Sequence, residues 1–387
     1  MSNGAVSGVA VVCSGDPREM GRQQGTALRT KILALGADLA RLEPFRLRQP
    51  AWLPYGVYRW LAERRTARYL DRALQASDSG MRDRLAGIVE GARVGHGTIC
   101  LFNALEPLLS SVGGCITCGH GCSAVAVRGS RSVTGEPVIA RNFDYLPLAQ
   151  PYYILRESRP AGGLRSLEFT LAPLEGAVDG LNEAGLAVVY DYAFALDQPA
   201  APAPSISMGI SGALARCRTV AEAAEYIAAR PRWGAALLML ADAAGDIASL
   251  EISSTRSFVR RPLAGEDCCF HSNRFQTAEM QSVQAPADAV LDHRAPVALR
   301  GSRLHESAER RDERLRELLA KHKKLGLDDL AALMADHGPD GQPSAFTPCV
   351  HSDYWNTTAC AQLLPRSRRL RIAFDPACQA RYQEFGL

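Results

Sequence analysis

The chain has 387 residues, 47% of them hydrophobic and 22% charged, with a formal net charge of +3. That length can hold one large or two ordinary domains with a substantial core, and the near balance of charge gives no electrostatic footprint for nucleic acid. No apolar run approaches the roughly 18 residues of a membrane span, and the start Met1-Ser2-Asn3-Gly4 lacks a basic segment followed by an apolar core. These features predict a soluble, cytoplasmic globular protein with no membrane or nucleic-acid partner.

In chain order, apolar residues recur with helical spacing over 21–40, and 61–85 and 101–109 read as two further helices. Pro44, Pro50 and Pro54 break the pattern between the first two. Trp52, Tyr55, Tyr58 and Trp60 sit in that region, as helix-packing side chains or as the lining of an acyl pocket. A Gly- and Cys-rich stretch, 113–121, follows the third helix.

Gly121-Cys122-Ser123 then runs straight into Ala124-Val125-Ala126-Val127, a scissile Gly-Cys bond placed directly before a strand. If that bond breaks, Cys122 becomes an N-terminus with a thiol and a free α-amine on one residue. An α-amine titrates near 7.7–8.0 and a free thiol near about 8.5, so the amine is a base matched to its own nucleophile. Gly114-Cys115 is the rival pair, but Ile116-Thr117-Cys118-Gly119 after it is too short and broken for a useful strand. The polar turn residues 128–137 and the second apolar run Val138-Ile139-Ala140 complete a β-hairpin. The hairpin returns Arg141 and Asp144 beside Cys122, where a guanidinium and a carboxylate can hold the amine and favour the thiolate.

Beyond the hairpin, strand-like runs lie at 152–156, 166–171, 185–192, 237–242, 247–252 and 257–260. Thr219 caps a helix over 219–229, with Glu222 as its capping-box partner and Pro231 as its stop. The proline-rich run 199–204 is an exposed loop. Residues 301–324 form a charged helix that reads as a solvated amphipathic face, 327–335 a second, and 356–370 closing strands.

Eleven cysteines without a secretory signal read as free thiols, with Cys268, Cys269, Cys360 and Cys378 as small buried hydrophobes. Cys115, Cys118, His120 and Cys122 include a Cys-x2-Cys ligand spacing. A non-catalytic zinc-binding or interaction protein is therefore the alternative of another class. The hairpin accounts for Cys122 without a metal, and no metal or cofactor is expected.

The run GCSAVAV, the hairpin and ARNFDY together resemble the autoproteolytic cysteine N-terminal-nucleophile hydrolases, specifically relatives of acyl-coenzyme A:isopenicillin N acyltransferase. Three further segments are similar in the right order: 15–25 to the family's opening strand-turn-helix, 180–187 to its Asn-Glu-x-Gly-Leu segment, and 271–275 to its His-Thr-Asn-His-Phe, where Ser272 and Arg274 depart. The resemblance implies an α+β fold, a four-layer αββα sandwich of two antiparallel sheets. It further implies self-cleavage into associated chains 1–121 and 122–387 of a single domain. Asn273 is the first candidate donor to the tetrahedral oxyanion. Tyr192 is the second, by position relative to the more distant bile-salt hydrolases and penicillin V acylases. The implied chemistry is amide formation from an acyl thioester, of coenzyme A or a carrier protein, and a small amine through acyl-Cys122. Hydrolysis of a small N-acyl substrate is the alternative. The Ala- and Arg-rich composition hints at a high-GC bacterium, where enzymes of the resembled family can serve natural-product assembly.

Overall fold

In the computed structural model, which describes residues 10–110, 121–263 and 265–387, the chain opens with β1 (Val11–Gly15) and six helices. These are α1 (Pro17–Ala27), α2 (Arg29–Asp38), α3 (Glu43–Arg46), α4 (Tyr55–Ser77), α5 (Ser79–Ala92) and α6 (His96–Ser110). The hairpin β2 (Gly121–Val127) and β3 (Val138–Tyr145) is followed by β4 (Tyr153–Pro160), β5 (Ser166–Leu171), β6 (Asp179–Asn182) and β7 (Ala187–Tyr192). Helices α7 (Ile206–Arg216) and α8 (Val220–Ala228) precede β8 (Ala236–Ala241), β9 (Ile247–Ile252), β10 (Ser257–Arg260) and β11 (Cys268–His271). Then α9 (Ala278–Gln281), α10 (Glu306–Ala320) and α11 (Leu327–Met334) lead to β12 (Asn356–Leu364), β13 (Arg369–Ala373) and β14 (Gln383–Gly386).

The strands form two sheets, one ordered β1-β4-β5-β6-β7-β8-β9-β10 and the other β11-β2-β3-β12-β13-β14. All neighbours are antiparallel except β1 and β4, which run parallel. Side-chain alternation explains why β2 is buried on both faces. Cys122, Ala124 and Ala126 join Ile139 and Phe143 in the core between the sheets, with Val189, Leu238 and Leu250 of the larger sheet. Val125 and Val127 face the other way with Val138 and Ala140, under Leu315 and Leu319 of α10 and Leu330 and Leu333 of α11. Helices α7 and α8 pack on the far side of the larger sheet. The result is the expected α+β, four-layer αββα arrangement.

Helix boundaries differ from the periodic reading at two points. The 21–40 pattern is two helices divided at Leu28, and 61–85 is two divided at Asp78. The Asp78 side chain accepts from the N–H groups of Gly80 and Met81, capping α5. Thr219 caps α8 through the Glu222 N–H, as expected, but the Glu222 carboxylate accepts from the Arg218 N–H rather than from Thr219 itself. The charged helix is shorter than 301–324. Strands β6, β11 and β14 and helices α3, α7 and α9 add to the elements expected.

Two glycines have a packing reason. A Cβ on Gly21 of α1 would lie 2.0 Å from the Arg84 carbonyl oxygen, and one on Gly87 of α5 would lie 2.0 Å from that of Arg18. The two helices touch backbone to backbone, which only glycine allows. The N-terminal region is also built into the large sheet. Gln24 donates to the carbonyls of Ala172 and Leu174 at 3.0 and 2.8 Å, and Asn103 donates to Pro173 and accepts from the Glu175 N–H. Among the described residues, no helix is long and apolar enough to cross a membrane.

Candidate active site

Cys122 is the second residue of β2 and is buried at 2% exposure. Its cross-strand partner is Phe143, and Gly121 stands opposite Asp144. On the thiol's face, one guanidinium N–H of Arg141 points at the Cys122 Sγ from 3.6 Å. Arg141 is itself pinned by Asp179 at 2.6 Å, Asp191 at 3.4 Å and the Tyr190 carbonyl at 2.6 Å, and it stacks over the Phe143 ring. A buried planar cation with this many partners has one orientation, and that orientation faces the sulfur.

Asp144 does not share that face. It lies three residues from Arg141 along β3, an odd step, so its carboxylate emerges on the opposite side of the sheet. A Cβ on Gly121 would meet the Asp144 Oδ2 at 2.9 Å, so the carboxylate sits against the backbone just before Cys122. Thr357 donates to Asp144 Oδ1 at 2.6 Å, and Arg311 approaches its Oδ2 at 3.7 Å. Asp144 therefore does not face the sulfur: its charge, like that of Asp191, pushes the thiol pKa up, while a hydrogen bond with its backbone lowers it.

Asn273 follows β11, whose His271 pairs with Ala124, and this register carries Asn273 to the start of β2. The Cys122 N–H donates to Asn273 Oδ1 at 2.7 Å, and Arg311 donates to the same oxygen at 2.8 Å. Asn273 Nδ2 donates to the Tyr192 carbonyl at 2.8 Å. Two donors on one side and an acceptor on the other fix which way this amide points. Asn273 thus holds the nitrogen of Cys122. Tyr192 meets it through the backbone, while its ring packs edge-on against Phe194. Arg311 also donates to the Cys122 carbonyl and to Ser123 Oγ, joining both faces of the site.

Burial dominates the electrostatics. It pushes the Cys122 thiol well above its ordinary pKa, against the lowering effect of Arg141. Burial also lifts Asp144 to about 6 against Arg311 and Thr357, and Asp179 to about 6 against Arg141. Burial therefore favours the neutral thiol over the thiolate. His271 completes the buried set, with Nδ1 2.8 Å from Ser249 Oγ and Nε2 3.4 Å from Asp191 Oδ2.

Beside the site lies a largely apolar cavity of about 110 Å³, lined among others by Leu39, Phe102, Leu105, Phe143, Leu146 and Trp233. Phe143, the strand partner of Cys122, forms part of its wall. Tyr190 donates to Glu106 within this lining, and burial raises Glu106 to about 7 despite that hydrogen bond. The aromatic residues singled out in the sequence are not in it. Trp52 and Trp60 are exposed at 81% and 51%, and Tyr58 packs on Phe45.

The structure brings Cys122, Arg141, Asn273 and Asp144 together and adds Arg311, Asp179, Asp191, His271, Thr357 and Glu106, to which the sequence reading gave no role. Arg311 and Asp312 are buried at 1% each on the helix read as solvated. The signal was available: Ala308, Arg311, Leu315 and Leu319 recur at steps of three and four on one face. Of the alternative zinc set, Cys115, Cys118 and His120 lie outside the described residues.

A family model described as acyl-coenzyme A:6-aminopenicillanic acid acyl-transferase matches residues 132–377, more than half of the chain. No curated protein matches. Solved structures that the chain is similar to include an N-acylethanolamine-hydrolyzing acid amidase ortholog from Caenorhabditis elegans, at 13% identity and TM-score 0.41, covering 69% of this chain and 100% of that one. They also include a penicillin V acylase from Agrobacterium tumefaciens, at 14% and 0.43, covering 69% and 86%. A mutant conjugated bile acid hydrolase from Clostridium perfringens matches at 13% and 0.39, covering 69% and 97%. The chain belongs to the acyl-coenzyme A:6-aminopenicillanic acid acyl-transferase family, enzymes of the N-terminal-nucleophile type.

Proposed function

We propose that this protein cleaves itself at Gly121-Cys122 and then transfers an acyl group from a thioester, of coenzyme A or a carrier protein, to a small amine through an acyl-Cys122 intermediate. The observation that carries this reading is the convergence on Cys122: a cation at its sulfur, an amide oxygen on its nitrogen and an apolar cavity against its strand partner.

In the precursor, the Cys122 sulfur attacks the Gly121 carbonyl carbon. The thiol proton passes to the departing nitrogen of Cys122, giving a thioester and a free α-amine. Water hydrolyses the thioester, leaving chains 1–121 and 122–387, held together by the β1–β4 pairing and the Gln24 and Asn103 hydrogen bonds. In the mature enzyme the α-amine, positioned by Asn273 Oδ1, takes the thiol proton, and Arg141 stabilises the thiolate. The sulfur attacks the acyl donor, and the tetrahedral oxyanion is stabilised by the Asn273 amide and, with a smaller share, by the Tyr192 hydroxyl. Collapse expels the donor thiolate, which takes a proton. An amine then attacks acyl-Cys122 to give the amide and restore the thiol. The apolar cavity suits the acyl chain and disfavours water as acceptor. We assign the reaction to a reducing cytoplasmic compartment, in keeping with the free thiols of the described cysteines.

Intact mass spectrometry after incubation with acyl thioesters tests this reading. The expected result is one acyl adduct on the 122–387 chain, absent in Cys122→Ala, that discharges to an amide when an amine is added. Equal discharge in water alone would make the protein a hydrolase, an amide hydrolase if N-acyl substrates load Cys122 as well, and an adduct that persists in Cys122→Ala would overturn the assignment.

A further inference from the structure

A second cluster of chemistry-bearing side chains lies on the other side of Asp144. His337 follows α11, Cys349 and His351 lie in the approach to β12, and Cys378 sits in a short 3-10 turn, Ala377–Gln379, after β13. One ligand atom from each lies within 4.8 Å of all the others. The His351 Nε2 stands 3.4 Å from the Cys349 Sγ and 3.5 Å from the Cys378 Sγ. With Zn–S near 2.3 Å and Zn–N near 2.0–2.1 Å, a tetrahedral ion needs S···N edges of about 3.6 Å.

Hydrogen bonding accounts for only part of this geometry: Cys349 and Cys378 are hydrogen-bonded to each other, but the imidazole is left shared between both thiols. One imidazole nitrogen offers a single lone pair or a single proton, so it serves one thiol well and not two at near-equal distance. The His337 Nε2 is buried and makes no hydrogen bond. Its ring meets that of His351 edge-on at 5.1 Å between centroids. A cation among the four side chains would satisfy that nitrogen and the shared one together.

We propose that His337, Cys349, His351 and Cys378 bind one zinc ion. Two thiolates and two imidazoles select a borderline-soft ion over magnesium or calcium. Binding replaces the two thiol protons, which leave to solvent. With four protein ligands the site is closed, so its task is structural, not catalytic. It ties the C-terminal turn to the segment that supports the nucleophile's hairpin from behind. Val350, between two of the ligands, donates its N–H to Thr357 Oγ1 at 2.8 Å, and Thr357 donates to Asp144. The Asn142 amide of β3 donates to the carbonyls of Met334 and Pro348, which flank the same segment. Cys378, expected as a buried hydrophobe, is instead exposed.

Elemental analysis of the purified full chain, followed by exchange to cobalt, tests the site. The expected result is one zinc per chain and, with cobalt, the thiolate charge-transfer absorption of a tetrahedral site. Both should be lost in Cys349→Ser and in Cys378→Ser, and kept in a Cys115→Ser/Cys118→Ser double variant. Cys378→Ser alters an exposed turn, so it reports on the site even where Cys349→Ser fails to fold. A wild-type chain that takes up no zinc from excess, zinc lost with the Cys115/Cys118 pair, or a Cys349–Cys378 disulfide in the purified protein would each overturn the proposal.

Discussion

Cys122 and Cys349 are both buried, both feel the Asp144 charge, and both are pushed towards the neutral thiol by burial, Cys349 to about 12. Their neighbours differ. Cys122 faces a guanidinium next to an apolar cavity, whereas Cys349 faces an imidazole with a second thiol behind it. Burial alone makes a thiol inert. A fixed cation with room for a substrate makes a nucleophile, and converging donors with no room make a ligand. On the two proposals made above, these cysteines serve different chemistry, one as a nucleophile and the other as a zinc ligand.

Removing what is special to Cys122 should have the largest effect. If the Asn273 amide serves the oxyanion, Asn273→Ala should lower kcat by roughly 10²–10³ with KM little changed. Asn273→Asp should do no better, because a carboxylate repels both the oxyanion and the Tyr192 carbonyl. Steady-state kinetics on each variant decides, and a change in KM alone would make Asn273 a substrate-binding residue.

Next in size is Arg141→Lys. Lysine keeps the charge but loses the fork that spans Asp179, Asp191 and the sulfur, so kcat/KM should fall by roughly 10² through misplacement. Cys349→Ser and Cys378→Ser should cost much less than this. Wild-type turnover in Arg141→Lys would mean that the charge next to Cys122 is only scaffolding.

The smallest effect concerns Glu106. Its pKa is about 7 in the fold against an ordinary value of 4.5, so it holds more protons folded than unfolded. Its stabilising contribution is fully present below about 4.5 and is lost as pH rises through 7. Glu106→Gln, which still accepts from Tyr190, should therefore stabilise the protein at pH 8 by roughly 1–3 kcal/mol, with the gain falling below about 1 kcal/mol at pH 5. Denaturant melts of both proteins at the two pH values check this. A gain independent of pH would show that Glu106 is not the titrating group.

What could be read from the sequence follows from how local the cause was. The hairpin, the strands at 166–171, 247–252 and 257–260 and the Thr219 cap rest on alternation, turns and capping, which act over a few residues. The opposite faces of Arg141 and Asp144 were also legible, by parity along β3, as was the buried position of Arg311. The cavity was not, since its walls come from α6, β3, β7 and loops that meet only in the fold. The four residues proposed to bind zinc are equally scattered. Only Cys349-Val350-His351 is a local hint, and it carries no ligand spacing that differs from chance.

The most direct test of the account is the intact mass of the freshly purified chain. We predict two co-purifying species, 1–121 and 122–387, the second beginning at Cys122. A single uncut species is predicted for Cys122→Ala, and continued cleavage for Cys378→Ser. An active enzyme that stays in one piece, or a new N-terminus at Cys115, would contradict the assignment of Cys122 as the N-terminal nucleophile.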